Sequence, residues 1–384
     1  MTNSMGRRLF IEVAGGVLGS FAGFLRSTRV SQQGPRTLRS ACQPLGLVIG
    51  TTVDAQEQYR SAAYVEAVVQ NFELIFVHSL MERSIEAGGL EAATYFRALA
   101  DSAHLVLHIH PVYWHRDVPD HLTHASDAEV LAFMQRRAEL AVSFVGRADQ
   151  GRRPTFINFL NEAIWYNAKG QFGWQESPFH RALGDDLIAE AYLMVYRAAA
   201  RQGLVVGRDL QLIYCDYDLY RRGGKSDVVL VRLNSAKRSI ASSLSIGVSE
   251  VNIGIALQHH LYVRNRPRYL RPHGDADEFA ETYKEFGAIG PVHITELSVG
   301  GTSDAVAIHQ VLADVFHAAV KSRACQSLCL WQPLRIRPTA FDLSERRQGR
   351  DDWFFPNFVF TDELKPGSEY NRLLGLLNQL SNER

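Results

Sequence analysis

Two apolar, β-prone runs each deliver a glutamate at their far end. One is Thr155-Phe-Ile-Asn-Phe-Leu-Asn-Glu-Ala163, carrying Glu162. The other is Pro291-Val-His-Ile-Thr-Glu-Leu-Ser298, carrying Glu296. A charge is costly inside a buried strand, so such a carboxylate is expected at the strand terminus, facing a cleft. Two carboxyl groups converging on one cleft are the minimum equipment for cutting a glycosidic bond. One protonates the leaving oxygen and the other acts on the sugar carbon.

Something must bring the two together. Apolar runs recur at Leu45–Gly50, Phe72–Val77, His104–Ile109, Thr155–Leu160, Leu210–Tyr214, Val251–Leu257, Val292–Thr295 and Ser327–Trp331. Helix-period stretches separate them, among them Glu129–Val145, Asp185–Arg201, Asp275–Phe286 and Ser303–Ser322, with a last one at Glu369–Leu380. Short strands alternating with helices imply a parallel sheet, because each parallel pairing needs a crossover. That number of units predicts an α/β fold of the (β/α)8 or TIM-barrel class, in a single catalytic domain over residues 45–384. Chemistry in such barrels gathers at the carboxyl ends of the strands. Read in order, those ends carry His115, Glu162, Asp216 with Tyr217, Gln258 with His260, Glu296 and Trp331.

The chain has 384 residues and a formal net charge of +0, which argues against a dedicated nucleic-acid binder. No zinc-ligand spacing, P-loop or dinucleotide fingerprint is present, and no cofactor is indicated. Cys42, Cys215, Cys325 and Cys329 are too scattered for a disulfide framework and read as small buried residues. At the N-terminus, Arg7 and Arg8 precede the short Gly-rich apolar stretch Val13–Leu25, the pattern of a twin-arginine export signal over residues 1–25. Residues 26–44 then read as a linker. The expectation is an exported protein that meets a membrane only if the signal stays uncleaved; the bland alternative is an amphipathic start to a cytoplasmic chain.

The order of motifs resembles glycoside hydrolase family 10, the barrel xylanases. Trp114-His115-Arg-Asp-Val-Pro119 is similar to the family's W-H-x-Q-x-P, and Asn161-Glu162-Ala163 to its N-E-A. Tyr214-Cys-Asp216-Tyr217-Asp218 resembles Y-N-D-Y-N, Ile255-Ala-Leu-Gln258-His-His260-Leu261 resembles I-G-L-Q-x-H-L, and Ile294-Thr-Glu296-Leu matches I-T-E-L. Phe358–Pro366 resembles the closing L-F-D-x-x-x-x-K-P. The resemblance spans about residues 45–380. It implies a retaining, double-displacement hydrolase of β-1,4-linked polysaccharide or oligosaccharide, xylan first. Glu162 would be the acid/base and Glu296 the nucleophile. Asn161 would meet the sugar 2-hydroxyl, Gln258 and His260 would order the carboxyl groups, and Trp331 and Tyr217 would stack on sugar faces. Glu162 should have a raised pKa, through the field of Glu296 and partial burial.

The chain also departs from the pattern. His78-Ser-Leu-Met-Glu82 replaces the E-N-x-x-K of the second strand, Ser298 replaces an aspartate, and Gln332 replaces a glycine. These changes keep two other readings open: a carbohydrate-binding barrel that cuts poorly, and a glycosidase with shifted sugar specificity. The aromatic loop Ile164–Trp174 either stacks on sugar or packs. The arginine-rich loops Tyr220–Lys225 and Tyr262–His273 are either solvated or recognise acidic groups on the substrate.

Overall fold

The computed structural model describes residues 36–53, 61–78, 80, 85, 89–148, 151–166, 171–263, 275–300, 304–331, 359–360 and 365–383. The export-signal reading, Ser79 to Glu82 except Leu80, the arginines of the loop after the sixth barrel strand, Gln332 and much of the closing motif lie outside them. By contacts the chain divides into Met1–Arg36 and Thr37–Arg384, and every element of the fold belongs to the second unit.

The strands are β1 (Val48–Val53), β2 (Leu74–Val77), β3 (Val106–Ile109), β4 (Tyr113–Trp114), β5 (Thr155–Asn161), β6 (Ile164–Tyr166), β7 (Phe172–Trp174), β8 (Leu210–Tyr217), β9 (Ile253–Tyr262), β10 (Val292–Gly300) and β11 (Cys325–Leu330). All but β6 and β7 belong to one sheet, and its pairings are parallel. β3 pairs β5, and β1 pairs β11, so the sheet closes into a barrel of eight strands, with β4 added beside β5. This is the expected (β/α)8 architecture. Helices on the outside explain why the strands read as unbroken apolar runs: every residue of β5 and of β10 is buried.

Each expected helix is present within a few residues. Asp127–Ser143 starts at a capping box in which Ser126 and Glu129 satisfy each other's backbone N–H groups. It buries Val130, Met134, Ala138 and Val142 along one face. The barrel interior is filled by Leu74, Phe76, Val106, Phe156, Ile213, Cys215, Ala256 and Cys329, with Val48 and Trp331 packed against them. Residues 37–44, read from the sequence as linker, are instead folded. Leu38–Cys42 is a helix capped by Thr37, and its Leu38, Ala41 and Cys42 are buried, in contact with the C-terminal helix Ser368–Asn382. The polar composition of the segment hid three well-spaced apolar residues. Among the described residues, no helix is long and apolar enough to cross a membrane.

Two irregularities shape the mouth of the barrel. The β5–β8 register shifts between Asn158 and Leu160, and both pairings of β10 shift around Thr295–Leu297. Beside these bulges, Glu162 has φ 53° and Glu296 φ 56°. Non-glycine residues in this left-handed region cost about 1–3 kcal/mol, and such strain collects where a side chain must be re-aimed.

Candidate active site

Glu162 follows β5, and its amide N–H extends the ladder to the Cys215 carbonyl at 2.9 Å. Its carboxyl group accepts from Trp114 Nε1 at 3.0 Å and from Asn161 Nδ2 at 3.3 Å. Asn161 is itself fixed, its Oδ1 accepting from Asn158 Nδ2 (3.1 Å) and Gln258 Nε2 (3.2 Å). An amide nitrogen carries two hydrogens, so Asn161 keeps one for a ligand. Gln258 therefore acts on the carboxyl group through Asn161 rather than by direct contact.

Contrary to the sequence expectation, Glu296 does not end its strand: β10 runs on to Gly300, and Glu296 sits at the register shift within it, between two imidazoles. His260 Nε2 is 3.0 Å from Oε2, and His110 Nε2 is 3.2 Å from Oε1. The His110 contact is an ion-pair distance without hydrogen-bond alignment, and Oε1 is left buried with no aligned donor. Asn158 Nδ2 approaches His110 Nδ1 at 2.6 Å. The two glutamates are thus ends of one network: Glu162, Asn161, Asn158, His110, Glu296. On the far side, His260 Nδ1 meets Ser298 Oγ at 2.7 Å, across a register pair of β9 and β10. The serine that replaces the pattern's aspartate still orients this ring, without adding a charge.

The electrostatics separate the pair. Burial raises the pKa of Glu162, and the nearby Asp216 carboxylate raises it further; Trp114 and Arg116 pull it partly back. Glu296 adds a smaller push than Asp216, so the sequence expectation holds in direction but not in its leading charge. Burial alone would also raise Glu296, but His110 and His260 outweigh it and hold this group well below the ordinary carboxylate range. One carboxyl group is biased toward the acid and the other toward the anion, which is the division of labour that acid/base and nucleophilic roles require.

Asp216 is fully buried. It accepts from Lys225 Nζ and Tyr214 Oη, both at 2.7 Å, and from the Tyr217 amide at 2.9 Å. Burial pushes its pKa up against the pull of Lys225. Lys225 Nζ also sits 3.2 Å from the centroid of Tyr217, so one face of that ring is covered and only the other can meet a sugar. Tyr217 in turn meets the Trp165 edge at 6.0 Å.

His115 lies by Trp114 and Trp165, its pKa lowered to about 4 by burial and by Arg116 and Lys225. Trp331 stands edge-on to His260 (5.5 Å) and near His78 (5.3 Å). His78, at the start of the altered second-strand motif, is half-buried with its Nε2 enclosed, and desolvation with His110 lowers its pKa to about 3.

The aromatic loop divides between its two readings. Its ends form the β6–β7 hairpin, from which Trp165 turns toward Tyr217 and His115. Trp174 is held away by Asp185, His180 and Arg232. In the loop after β8, Arg221 and Arg222 pair with Glu278 and Glu285, and Lys225 with Asp216, so these cations already have acidic partners. His110, Asn158 and Trp114 were not singled out from the sequence. Trp114 was within a quoted motif, and His110 directly follows the third strand, so position carried a signal. Asn158, mid-strand, carried none.

A family model described as glycosyl hydrolase family 10 matches residues 37–334. The chain is 22% identical over 331 residues to a protein named endo-1,4-beta-xylanase 5 from Pyricularia oryzae, covering 82% of this chain and 74% of that one. Xylanase 10B of Thermotoga maritima superposes with a TM-score of 0.69 at 19% identity, over 91% of this chain and 100% of that one. Xylanase 10B of Thermotoga petrophila RKU-1, solved with xylobiose, gives 0.67 at 17% identity, over 91% and 99%.

Proposed function

The chain belongs to glycosyl hydrolase family 10 and is a glycoside hydrolase, and from that premise we propose that it cleaves β-1,4-linked xylan-type chains by double displacement. Glu296 attacks the anomeric carbon through Oε1, the oxygen without an aligned donor. Glu162 protonates the departing glycosidic oxygen, then takes a proton from the water that releases the glycosyl-enzyme, so configuration is retained. Asn161 meets the 2-hydroxyl, where a hydrogen bond strengthens as the oxocarbenium-like state forms. His115, Gln258, His260, Tyr217 and Trp331 bind or orient the sugar. The observation that carries this reading is the opposed bias of two buried, network-linked carboxyl groups. The xylan assignment draws on the names of the relatives.

The test is reducing-sugar release from glucuronoxylan, arabinoxylan, mixed-linkage glucan and cellulose, with Glu296→Ala beside it. Release that vanishes in the variant supports the nucleophile, and the β-anomer as first product of a β-linked substrate supports retention. The inverted anomer would remove the double displacement. A preference for glucuronoxylan would support recognition of acidic groups. Export through residues 1–25 is tested by fusing them to a twin-arginine-dependent reporter.

The half-buried, weakly basic His78 favours a second reading, a sugar-binding barrel of low activity, because it stands where the family pattern has an acid. Tight xylo-oligosaccharide binding by folded protein without release from any substrate would select it.

A further inference from the structure

Cys215 is a site residue that the hydrolytic reading leaves unused. It occupies the place of the first asparagine in Y-N-D-Y-N, and it points into the barrel core. Its Sγ, a His110 ring nitrogen and a Glu296 oxygen lie within 4.8 Å of one another, all three residues buried. Within that set, Glu296 Oε1 is a buried acceptor 3.2 Å from His110 Nε2 without a well-aligned hydrogen bond, so its lone pairs are open to a cation. Thiolate, imidazole and carboxylate together are a set suited to a soft d10 cation, and three protein ligands leave a fourth position open.

We propose that His110, Cys215 and Glu296 form an inhibitory site for a thiophilic divalent cation such as Zn2+. The thiol gives up its proton to solvent when the metal–sulfur bond forms; nothing is oxidised or reduced. Ligation through His110 Nε2 requires its proton to sit on Nδ1. Asn158 Oδ1 is buried without a partner, so rotating that amide offers the acceptor, at the expense of its bond to Asn161. The bound ion would occupy Glu296 Oε1, the oxygen that otherwise meets the sugar. The inhibitory part of the proposal therefore rests on the nucleophile reading, whereas the binding part does not.

Cd2+ is the probe, titrated into the full chain while the thiolate-to-metal charge-transfer absorption and the residual activity are followed. The expected result is a saturating band that tracks the loss of activity and recedes when xylo-oligosaccharide is added. Cys215→Asn and Cys215→Ser, judged against their own metal-free turnover, should lose the band and need at least about tenfold more Cd2+ for the same inhibition. Cys329→Ala, a change at a neighbouring buried thiol, should keep both. Absence of a band in the natural protein, or a band that survives both Cys215 substitutions, overturns the site. A band of unchanged affinity in Glu296→Gln removes the carboxylate from it. Activity of Glu296→Gln without metal would refute the nucleophile reading separately.

Discussion

At the scale of single residues, the site works by giving two chemically equal side chains unequal surroundings. Glu162 sits in a buried pocket beside another carboxylate and is pushed toward its neutral form. Glu296 sits between imidazoles and is pushed toward its anion. With Glu162 as the proposed general acid, activity should fall as pH rises through that raised pKa. Glu162→Gln should abolish this alkaline limb and lower kcat/KM by about 10²–10⁴-fold, less for substrates with good leaving groups. A pH profile with an activated aryl glycoside checks it. Ser298→Ala removes the hydroxyl that His260 Nδ1 meets. A hydrogen bond of this kind is worth about 1 kcal/mol, so kcat/KM should drop roughly fivefold, with recovery in Ser298→Asp.

At the scale of elements, the end of β5 and a register shift within β10 do the positioning. Bulges in β5 and β10 and the left-handed backbone at both glutamates turn the side chains out of the ladder toward the mouth. The β8 end contributes the buried Asp216–Lys225 pair, in which Asp216 raises Glu162 and Lys225 covers one face of Tyr217. Breaking such a pair leaves an uncompensated buried charge. Lys225→Met should therefore cost about 3–5 kcal/mol in urea unfolding, and Lys225→Met with Asp216→Asn should recover most of it. The helix Leu38–Cys42 makes a separate prediction about where the domain begins. A chain starting at residue 45 discards three buried side chains, each leucine-sized one worth about 1.5–3 kcal/mol. It should melt below a chain starting at residue 36, as read by circular dichroism.

At the scale of the whole molecule, the barrel buries several histidines in neutral form. His78, His259 and His293 are each lowered to about 3, mainly by burial, and His108 is also well below its ordinary value. Unfolding restores their ordinary pKa of about 6.5, so below that pH the unfolded chain binds more protons than the native one. Stability should be full above about pH 6.5 and fall steadily as pH drops toward 3. Glu296, held low, adds to the loss at the acidic end. Glu162, held high, opposes it by destabilising the fold once ionised. Urea midpoints at pH 4.5 and 7.5 measure the balance, and equal values would refute it.

The order of short apolar runs and helix-period stretches was enough for the barrel, because parallel strands covered by helices on the outside and packed within admit few polar residues. Both glutamates were legible because a charge closing an apolar run is costly unless it faces a cleft, but only Glu162 follows its strand; β10 continues past Glu296 to Gly300, and the register shift there does what a strand end was expected to do. Local spacing could not reveal what lies between them. His110, just after β3, meets Asn158 of β5 only because the sheet closes through the β3–β5 pairing, and the bias of each carboxyl group depends on neighbours 50 or more residues away, Asp216 for Glu162 and His110 for Glu296. The folded segment 37–44 was missed because its apolar residues matter only against a helix near the other end of the chain. Composition and period are properties of the sequence; desolvation and convergence are properties of the closed barrel.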